Sequence, residues 1–492
     1  MKRILLIAIV IAAVSAVTLL AIGNAQQQRP RQERGQRQDG GRRTQDNGEA
    51  RTDVPAHPWD IILGRPTRDS ITLSVLAYQP MEGFIEYETG KTKNKTAVQS
   101  FKPGEPVEIV IKGLKPDAQY AYRFHARANS SDKFTASADY GFHTARPAGA
   151  AFTFTVQSDS HLDYNTSPEL YARTLANALA DKPDFHFELG DTFMTDKYAN
   201  YQDAAKQYLA QRYYFGLLCH SAPLFFALGN HDGERGRSLN GTANNMTVWS
   251  ATMRKRYLPN PQPDAFYSGN AKPQPFVGLL QDYYSWEWGD ALFVVLDPFW
   301  FTKDRGNDDN WARTLGEEQY QWLRKTLAGS KARFKFVFLH HLVGGIDRSA
   351  RGGIAAAKLY EWGGQNADGS DGFKQHRPGW EMPIHQLLVK HRVSAVFHGH
   401  DHLFAKEDLD GIVYQEVPQP GNPRFNQPSN AMEYGYGTGT LFGSPGYLRV
   451  TVVPGKVNVE LVRPVLAKDE TSTRKNGQVD HRFDILPVAT RR

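Results

Sequence analysis

The chain has 492 residues, 40% of them apolar and 12% aromatic, which is too long for one ordinary domain and too apolar for a disordered protein, so two or three globular cores are expected. Of its formal +6 charge, Lys2 and Arg3 carry two and residues 26–52, with seven arginines against four acidic residues, carry three, leaving +1 for residues 53–492. The globular part is therefore not basic enough to argue for nucleic-acid binding, no specific nucleic acid is expected as a partner, and a single cysteine, Cys219, excludes an intrachain disulfide framework.

Met1-Lys2-Arg3, the uncharged run Ile4 to Ile22 and the small-residue sites Val14-Ser15-Ala16 and Gly23-Asn24-Ala25 read as an export signal peptide over residues 1–25. The run is long enough that an uncleaved membrane anchor is the alternative. Both place the bulk of the chain outside the cytoplasm: periplasmic, secreted or at the cell surface. From 26 to 54 the chain is Gln, Arg, Asp and Gly with almost nothing apolar, a linker that cannot bury enough surface to order itself.

From 55 to 147 apolar and polar residues alternate, as in Ile71-Thr72-Leu73-Ser74-Val75, Val107-Glu108-Ile109-Val110-Ile111 and Tyr120-Ala121-Tyr122-Arg123-Phe124. Period two with turn residues at short intervals predicts an N-terminal all-β sandwich. The stretch Gly113 to Tyr120 resembles the corner of a fibronectin type III module, where a tyrosine hydroxyl ties back to nearby backbone. No catalytic set appears in this unit.

From 150 to 465 apolar strands alternate with helical segments, the mark of an α/β domain. Strands are predicted at 152–156, 184–189, 223–228, 291–296, 333–339 and 393–398, and helices after Ser167-Pro168, over 202–219, 317–327 and 382–391. The strand ends carry Asp159-Ser160-His161, Gly190-Asp191, Gly229-Asn230-His231-Asp232, His340-His341 and Gly399-His400-Asp401-His402. Ligands of α/β sheets bind beyond the carboxyl ends of strands, so five ends deliver carboxylate, imidazole and amide to one edge. Oxygen and nitrogen donors without thiolate suit Zn, Mn or Fe, or a ferric/divalent pair. Seven donors exceed what one ion needs if it must also bind water and substrate, so two ions sharing a bridging carboxylate are expected.

These five blocks, in this order, resemble those of the calcineurin-like metallophosphoesterase superfamily: Asp-x-His, Gly-Asp, Gly-Asn-His-Asp/Glu, His, and Gly-His-x-His. A fibronectin-like module ahead of them is similar to the purple acid phosphatase arrangement. The resemblance covers about residues 55 to 465 and implies a catalytic domain with a two-sheet β-sandwich core flanked by helices. It implies that Asp159, His161, Asp191 and His402 hold one ion and Asp191, Asn230, His340 and His400 the other, with Asp191 bridging and His341 the substitute should His340 not be the ligand. His231 is expected to face a phosphoryl oxygen or the leaving group, with Asp232 orienting it. One departure stands out: the purple enzymes have Tyr three residues after the Gly-Asp aspartate, and this chain has Met194, so no tyrosinate colour is expected.

The implied activity is hydrolysis of small-molecule phosphate monoesters by a hydroxide bridging two metals. A phosphodiesterase or nucleotide-cleaving enzyme is the alternative, and a surface-binding module with a structural metal site is the non-enzymatic one. His186, His220, His385, His391 and His398 read as structural. Segment 233–311 is expected to be core in part and, with Arg235, Arg237 and Arg254, cleft wall for the rest, and segment 344–380 a loop over the metals, a plain surface insertion being the alternative for each. Residues 466–492 are expected to be a loosely held polar tail.

Overall fold

The computed structural model describes residues 51–128, 133–303, 310–425 and 428–487. The segment read as signal or anchor, and the linker up to residue 50, lie outside the described residues. The first sandwich pairs a sheet in the order β1 (Trp59–Gly64), β2 (Ser70–Ala77), β6 (Val107–Lys112) with a second one. That second sheet is built on β3 (Met81–Thr89) and β7 (Gln119–Arg127), with β4 (Thr92–Lys95), β5 (Gln99–Phe101), β8 (Thr135–Ala136) and β9 (Tyr140–His143) added to them. Alternate residues of these strands, Ile71, Leu73 and Val75 against Tyr120, Tyr122 and Phe124, fill the core. The tyrosine corner is present: the Lys115 N–H donates to the Tyr120 hydroxyl at 2.8 Å.

The catalytic domain stacks two further sheets. One runs β12 (Leu224–Phe226), β11 (Phe185–Glu188), β10 (Phe152–Gln157), β21 (Tyr447–Val453), β22 (Lys456–Arg463), β23 (Gln478–Ile485). The other runs β13 (Ser268–Gly269), β14 (Tyr284–Trp288), β15 (Ala291–Val295), β16 (Phe334–Phe338), β17 (Ala395–His398), β19 (Ile412–Glu416), β18 (Leu403–Leu409), β20 (Thr440–Gly443). Their facing sides interlock through phenylalanines at alternate positions, including Phe154, Phe185, Phe187, Phe293, Phe336, Phe338 and Phe397. Phe187 stacks on Phe338 at 3.9 Å between centroids across the two layers, a contact worth about 0.5–1.5 kcal/mol beyond its area.

The outer faces take the helices. Leu224, Phe226 and Leu228 pack on α1 (Pro168–Ala180) and α2 (Tyr201–Cys219). Leu292, Val294 and Val337 pack on α4 (Glu317–Gly329) and the helix Ile384–Lys390, while α3 (Met246–Tyr257) joins the cluster of α1 and α2 through Trp249, Met253 and Tyr257. Ser167 caps α1, accepting from the Leu170 N–H at 3.3 Å, with Pro168 at the first helical position. Cys219 is buried in the α2 core. No helix among the described residues is long and apolar enough to cross a membrane.

Because β10, β11 and β12 run parallel, as do β15, β16, β17 and β19, the five motif-bearing ends emerge on one edge. The expectation of a loose tail from 466 is corrected at β23, which pairs with β22 from Val457 to Arg463. Val479, Phe483 and Ile485 point into the protein, while Asp480 and Asp484 meet Arg463 and Lys456. The polar half of that alternation hid the strand by lowering its mean apolarity.

Candidate metal centre

Each motif begins where a buried strand stops, and the turn after it is held in a conformation a side chain adopts only under constraint. Asp159, Asp191, His400 and His402 all have positive φ, between 55° and 87°, which costs about 1–3 kcal/mol each and marks backbone held for a task. The loops are in close contact, backbone on backbone at Gly229 and backbone on side chain at Gly399. A Cβ on Gly229 would sit 1.9 Å from the Asp191 nitrogen, and one on Gly399 would sit 1.8 Å from Ser158 Oγ, so both motif glycines are required by close approach.

Two groups of side chains converge there. The donor atoms of Asp159, His161 and His402 lie within 4.8 Å of one another, as do those of Asp191, His340 and His400. Asn230 joins the second group, its Oδ1 3.1 Å from His340 Nε2. Asp191 Oδ2 lies between them, 3.7 Å from His161 Nε2 and 3.2 Å from His340 Nε2. All seven residues read from the sequence are therefore brought together. His341 is not among them: its Nδ1 faces the Leu342 carbonyl and its ring packs on Phe299.

The donor atoms are arranged as metal ligands are. Asp159 Oδ2 accepts from Ser158 Oγ (2.6 Å) and the His400 N–H (2.9 Å), while its buried Oδ1 has no hydrogen-bond partner. Asp191 Oδ1 accepts from the His231 N–H at 2.7 Å, leaving Oδ2 to the site. His340 Nδ1 donates to the Leu189 carbonyl (2.9 Å) and His161 Nδ1 to Asp163 (3.3 Å). Each Nε2 is thereby left as a lone pair facing the centre, that of His161 buried and unpartnered. Burial acts to raise both central carboxyls, but neighbouring imidazoles, His340 and His402 for Asp159, His340 and His231 for Asp191, hold them well below the usual range. Burial likewise acts to lower His340, and Asp191 and Asp159 outweigh it, drawing it up to about 9. The cluster's own field calls for positive charge, and its oxygen and nitrogen donors fit two metal ions.

The sequence reading of Asp232 is corrected. Its carboxylate accepts four backbone N–H groups, those of Asp191 (3.0 Å), Thr192 (2.9 Å), Phe193 (2.7 Å) and Gly229 (2.8 Å). It thus ties the Gly-Asp loop to the Gly-Asn-His-Asp loop from beneath and does not meet His231. Burial, reinforced by Asp191, pushes it up to about 6. The carboxylate on His231 belongs to Asp196, both of whose oxygens lie 2.9 Å from Nδ1, and Arg235 holds Asp196 at 3.3 Å from the other side. His231 Nε2 then points inward, 4.0 Å from Asp191 Oδ2. The signal available was an acidic residue five positions beyond Asp191 in the same loop.

The histidines read as structural find protein surroundings: His186 meets Thr155 (2.8 Å), His398 meets Glu416 (2.6 Å) and His385 meets Tyr414 (2.8 Å). Segment 344–380 divides. Tyr360, Trp362, Phe373 and Trp380 cap a core, and the stretch around Ser349 reaches the centre, where its carbonyl accepts from His400 Nε2 at 2.6 Å. Arg254, offered above as cleft wall, is buried against Glu234 at 2.6 Å, whereas Arg235 and Arg237 do line the cleft.

A family model of calcineurin-like phosphoesterases matches residues 152–404. Among solved structures, PhoD superposes with a TM-score of 0.62 at 16% identity, over 88% of this chain and 91% of its own. The purple acid phosphatase PPD1 from yellow lupin (Lupinus luteus) seeds does so with 0.56 at 16% identity, over 87% of this chain and 74% of its own. At these identities the likeness is one of fold. No curated protein sequence matches the chain.

Proposed function

The chain belongs to the calcineurin-like phosphoesterase family and is a metal-dependent phosphoric ester hydrolase, and on that premise we propose that it is an exported binuclear enzyme acting on small phosphate monoesters. Asp159, His161 and His402 hold one ion, Asn230, His340 and His400 the other, and Asp191 is shared. The observation that carries this assignment is the pairing of the outward-facing atoms of Asp159, Asp191, His161 and His340 with protein partners while Asp159 Oδ1, Asp191 Oδ2 and the Nε2 atoms of His161 and His340 face the centre. When bound, such ions neutralise phosphoryl oxygens and make water a stronger nucleophile near neutrality.

The chain's own residues do the rest. Asp196 accepts from His231 Nδ1 and fixes the ring, and it is the imidazolium form, protonated at Nε2 as well, that gives the Nε2 proton to the departing alkoxide. Asn230, beside His340, positions the ester through its amide. The arginines of the cleft suit the dianion of a monoester better than the single charge of a diester. Zn, Mn and Fe all fit the donor set, and with Met194 in place of a phenolate no purple tyrosinate band is expected. Export rests on the Met1 to Ala25 pattern.

Asp191→Asn is expected to lose both activity and stoichiometric metal, whereas His231→Ala keeps two ions per chain and loses turnover by about 10²–10⁴. Metal analysis beside hydrolysis of 4-nitrophenyl phosphate and bis-4-nitrophenyl phosphate reads both points. A His231→Ala protein without metal, or with full activity, breaks the division of roles, and faster cleavage of the diester overturns the monoester assignment.

A further inference from the structure

The cleft above the two ligand groups holds about 700 Å³, and its wall carries six arginines, Arg235, Arg237, Arg313, Arg348, Arg351 and Arg424. They come from four separate segments: after β12, before α4, after β16 and after β19. Residues 53–492 are nearly neutral overall, so this is a local concentration and not a sample of a basic surface. The carboxylates of the same wall, Asp191 and Asp401, are 1% and 6% exposed. Both are engaged: Asp191 belongs to the centre, and Asp401 Oδ2 accepts from the Gly352 N–H (2.9 Å) and the Tyr436 hydroxyl (2.8 Å).

Two of the arginines stand out by their anchoring. Arg348 and Arg424 are exposed, and among the described residues neither has a carboxylate partner; Arg424 donates to Asn165 Oδ1 at 3.2 Å. Their backbones are nevertheless tied to the metal centre. The residue after Arg348 is Ser349, whose carbonyl receives His400 Nε2. Arg424 N–H donates to Asn422, Asn422 to Gln419, and Gln419 to the Asp159 carbonyl. Each guanidinium therefore starts from a point fixed relative to one of the two ligand groups.

One phosphoryl dianion between two cations needs little further positive charge. Although Arg235 pairs with Asp196 at 3.3 Å and Arg351 with Asp347 at 3.4 Å, gathering Arg348 and Arg424 beside them without a carboxylate partner costs mutual repulsion. An anion elsewhere on the ligand relieves that repulsion, and the guanidinium fork matches phosphate and carboxylate alike. The geometry points to a substrate that bears, besides the phosphoryl group hydrolysed, at least one further anionic group held by Arg348 and Arg424: a small organic phosphate with a second phosphate or a carboxylate. This rests on the phosphoesterase reading of the same site.

Matched pairs test it in the metal-loaded full chain: fructose 6-phosphate against fructose 1,6-bisphosphate, and glycerol 3-phosphate against 3-phosphoglycerate. The second anion is expected to raise kcat/KM about tenfold or more at low salt, well beyond the statistical gain of two equivalent phosphates, and mostly through KM. A gain in the first pair alone makes the second group a phosphate; a gain in both makes it any anion. Raising the salt erodes the advantage, and Arg348→Gln or Arg424→Gln reduces the ratio within a pair about threefold to tenfold. Ratios near one with the simple esters hydrolysed, or variants that depress both members equally, overturn the inference while leaving the enzyme a phosphoesterase. If none of the four esters is hydrolysed, the monoesterase reading fails, and equilibrium binding of the bisphosphate against the monophosphate then decides the second site, equal affinities overturning it.

Discussion

Asp232 and Asp196 are both acidic residues beside the same histidine, and they do different work. Among the described residues Asp232 is the one acceptor for the amides of Asp191, Thr192, Phe193 and Gly229, all buried. Asp232→Ala strands four donors, at about 1–3 kcal/mol for each buried group that stays unsatisfied, and the denaturation midpoint is expected to fall steeply, with metal lost as the two loops part. Asp196→Asn touches the orientation of His231 and Arg235 only; its midpoint stays near the parent's while kcat falls about 10–100-fold with metal content intact. Equal midpoints for the two variants, or metal loss in Asp196→Asn, contradict this division. The seven donors were legible because each is a polar residue at the end of an apolar strand. The orienting carboxylate was not, because side chains of consecutive turn residues leave in different directions, and the partner of His231 is 35 positions back in the chain.

At the level of elements, the motif strands could be read because hydrophobic runs of four to six residues end in turn residues. The edge strands β20 and β23 could not, since solvent on one side allows them polar residues at half their positions. One buried polar feature of the motif strands carries a pH signature. His186 on β11 is fully buried, with Nδ1 against Thr155 Oγ1 at 2.8 Å, and burial pushes it down to about 3. The folded imidazole stays neutral until about pH 3, whereas in the unfolded chain it takes a proton below about 6.5. Its contribution is therefore complete above 6.5 and declines as the pH falls toward 3. Between pH 7 and pH 5 the loss is about 2 kcal/mol. Urea midpoints of the parent and of His186→Leu at those two pH values measure it: the variant is expected to be less pH-dependent, and parallel shifts contradict the assignment.

Over the whole molecule, the first sandwich and the catalytic layers belong to one compact unit, Asn47–Arg492, and the fastener between them is polar. Arg212 of α2, fully buried, donates from Nε to Asp60 Oδ1 of β1 at 2.7 Å, from Nη1 to Ser74 Oγ at 3.0 Å and from Nη2 to the Ser74 carbonyl at 2.9 Å. It also reaches the Tyr257 carbonyl at the end of α3. Tyr122 adds a bond to the His220 carbonyl at 2.6 Å, and Tyr267 one to the Pro66 carbonyl at 2.5 Å. Ile62 and Leu76 of the sandwich lie in the same apolar cluster as Phe215 and Leu218 of α2. A module joined by buried charge and shared core cannot melt by itself, so calorimetry of residues 53–492 is expected to show one cooperative transition. Arg212→Met leaves Asp60 buried with, among the described residues, the Tyr78 hydroxyl at 2.7 Å and the His57 ring at 3.9 Å as its side-chain partners, and should cost about 3–5 kcal/mol. Because that cost is mostly the stranded charge, adding Asp60→Leu should restore part of the stability; a double variant no more stable than Arg212→Met would show that packing, not charge pairing, joins the two units.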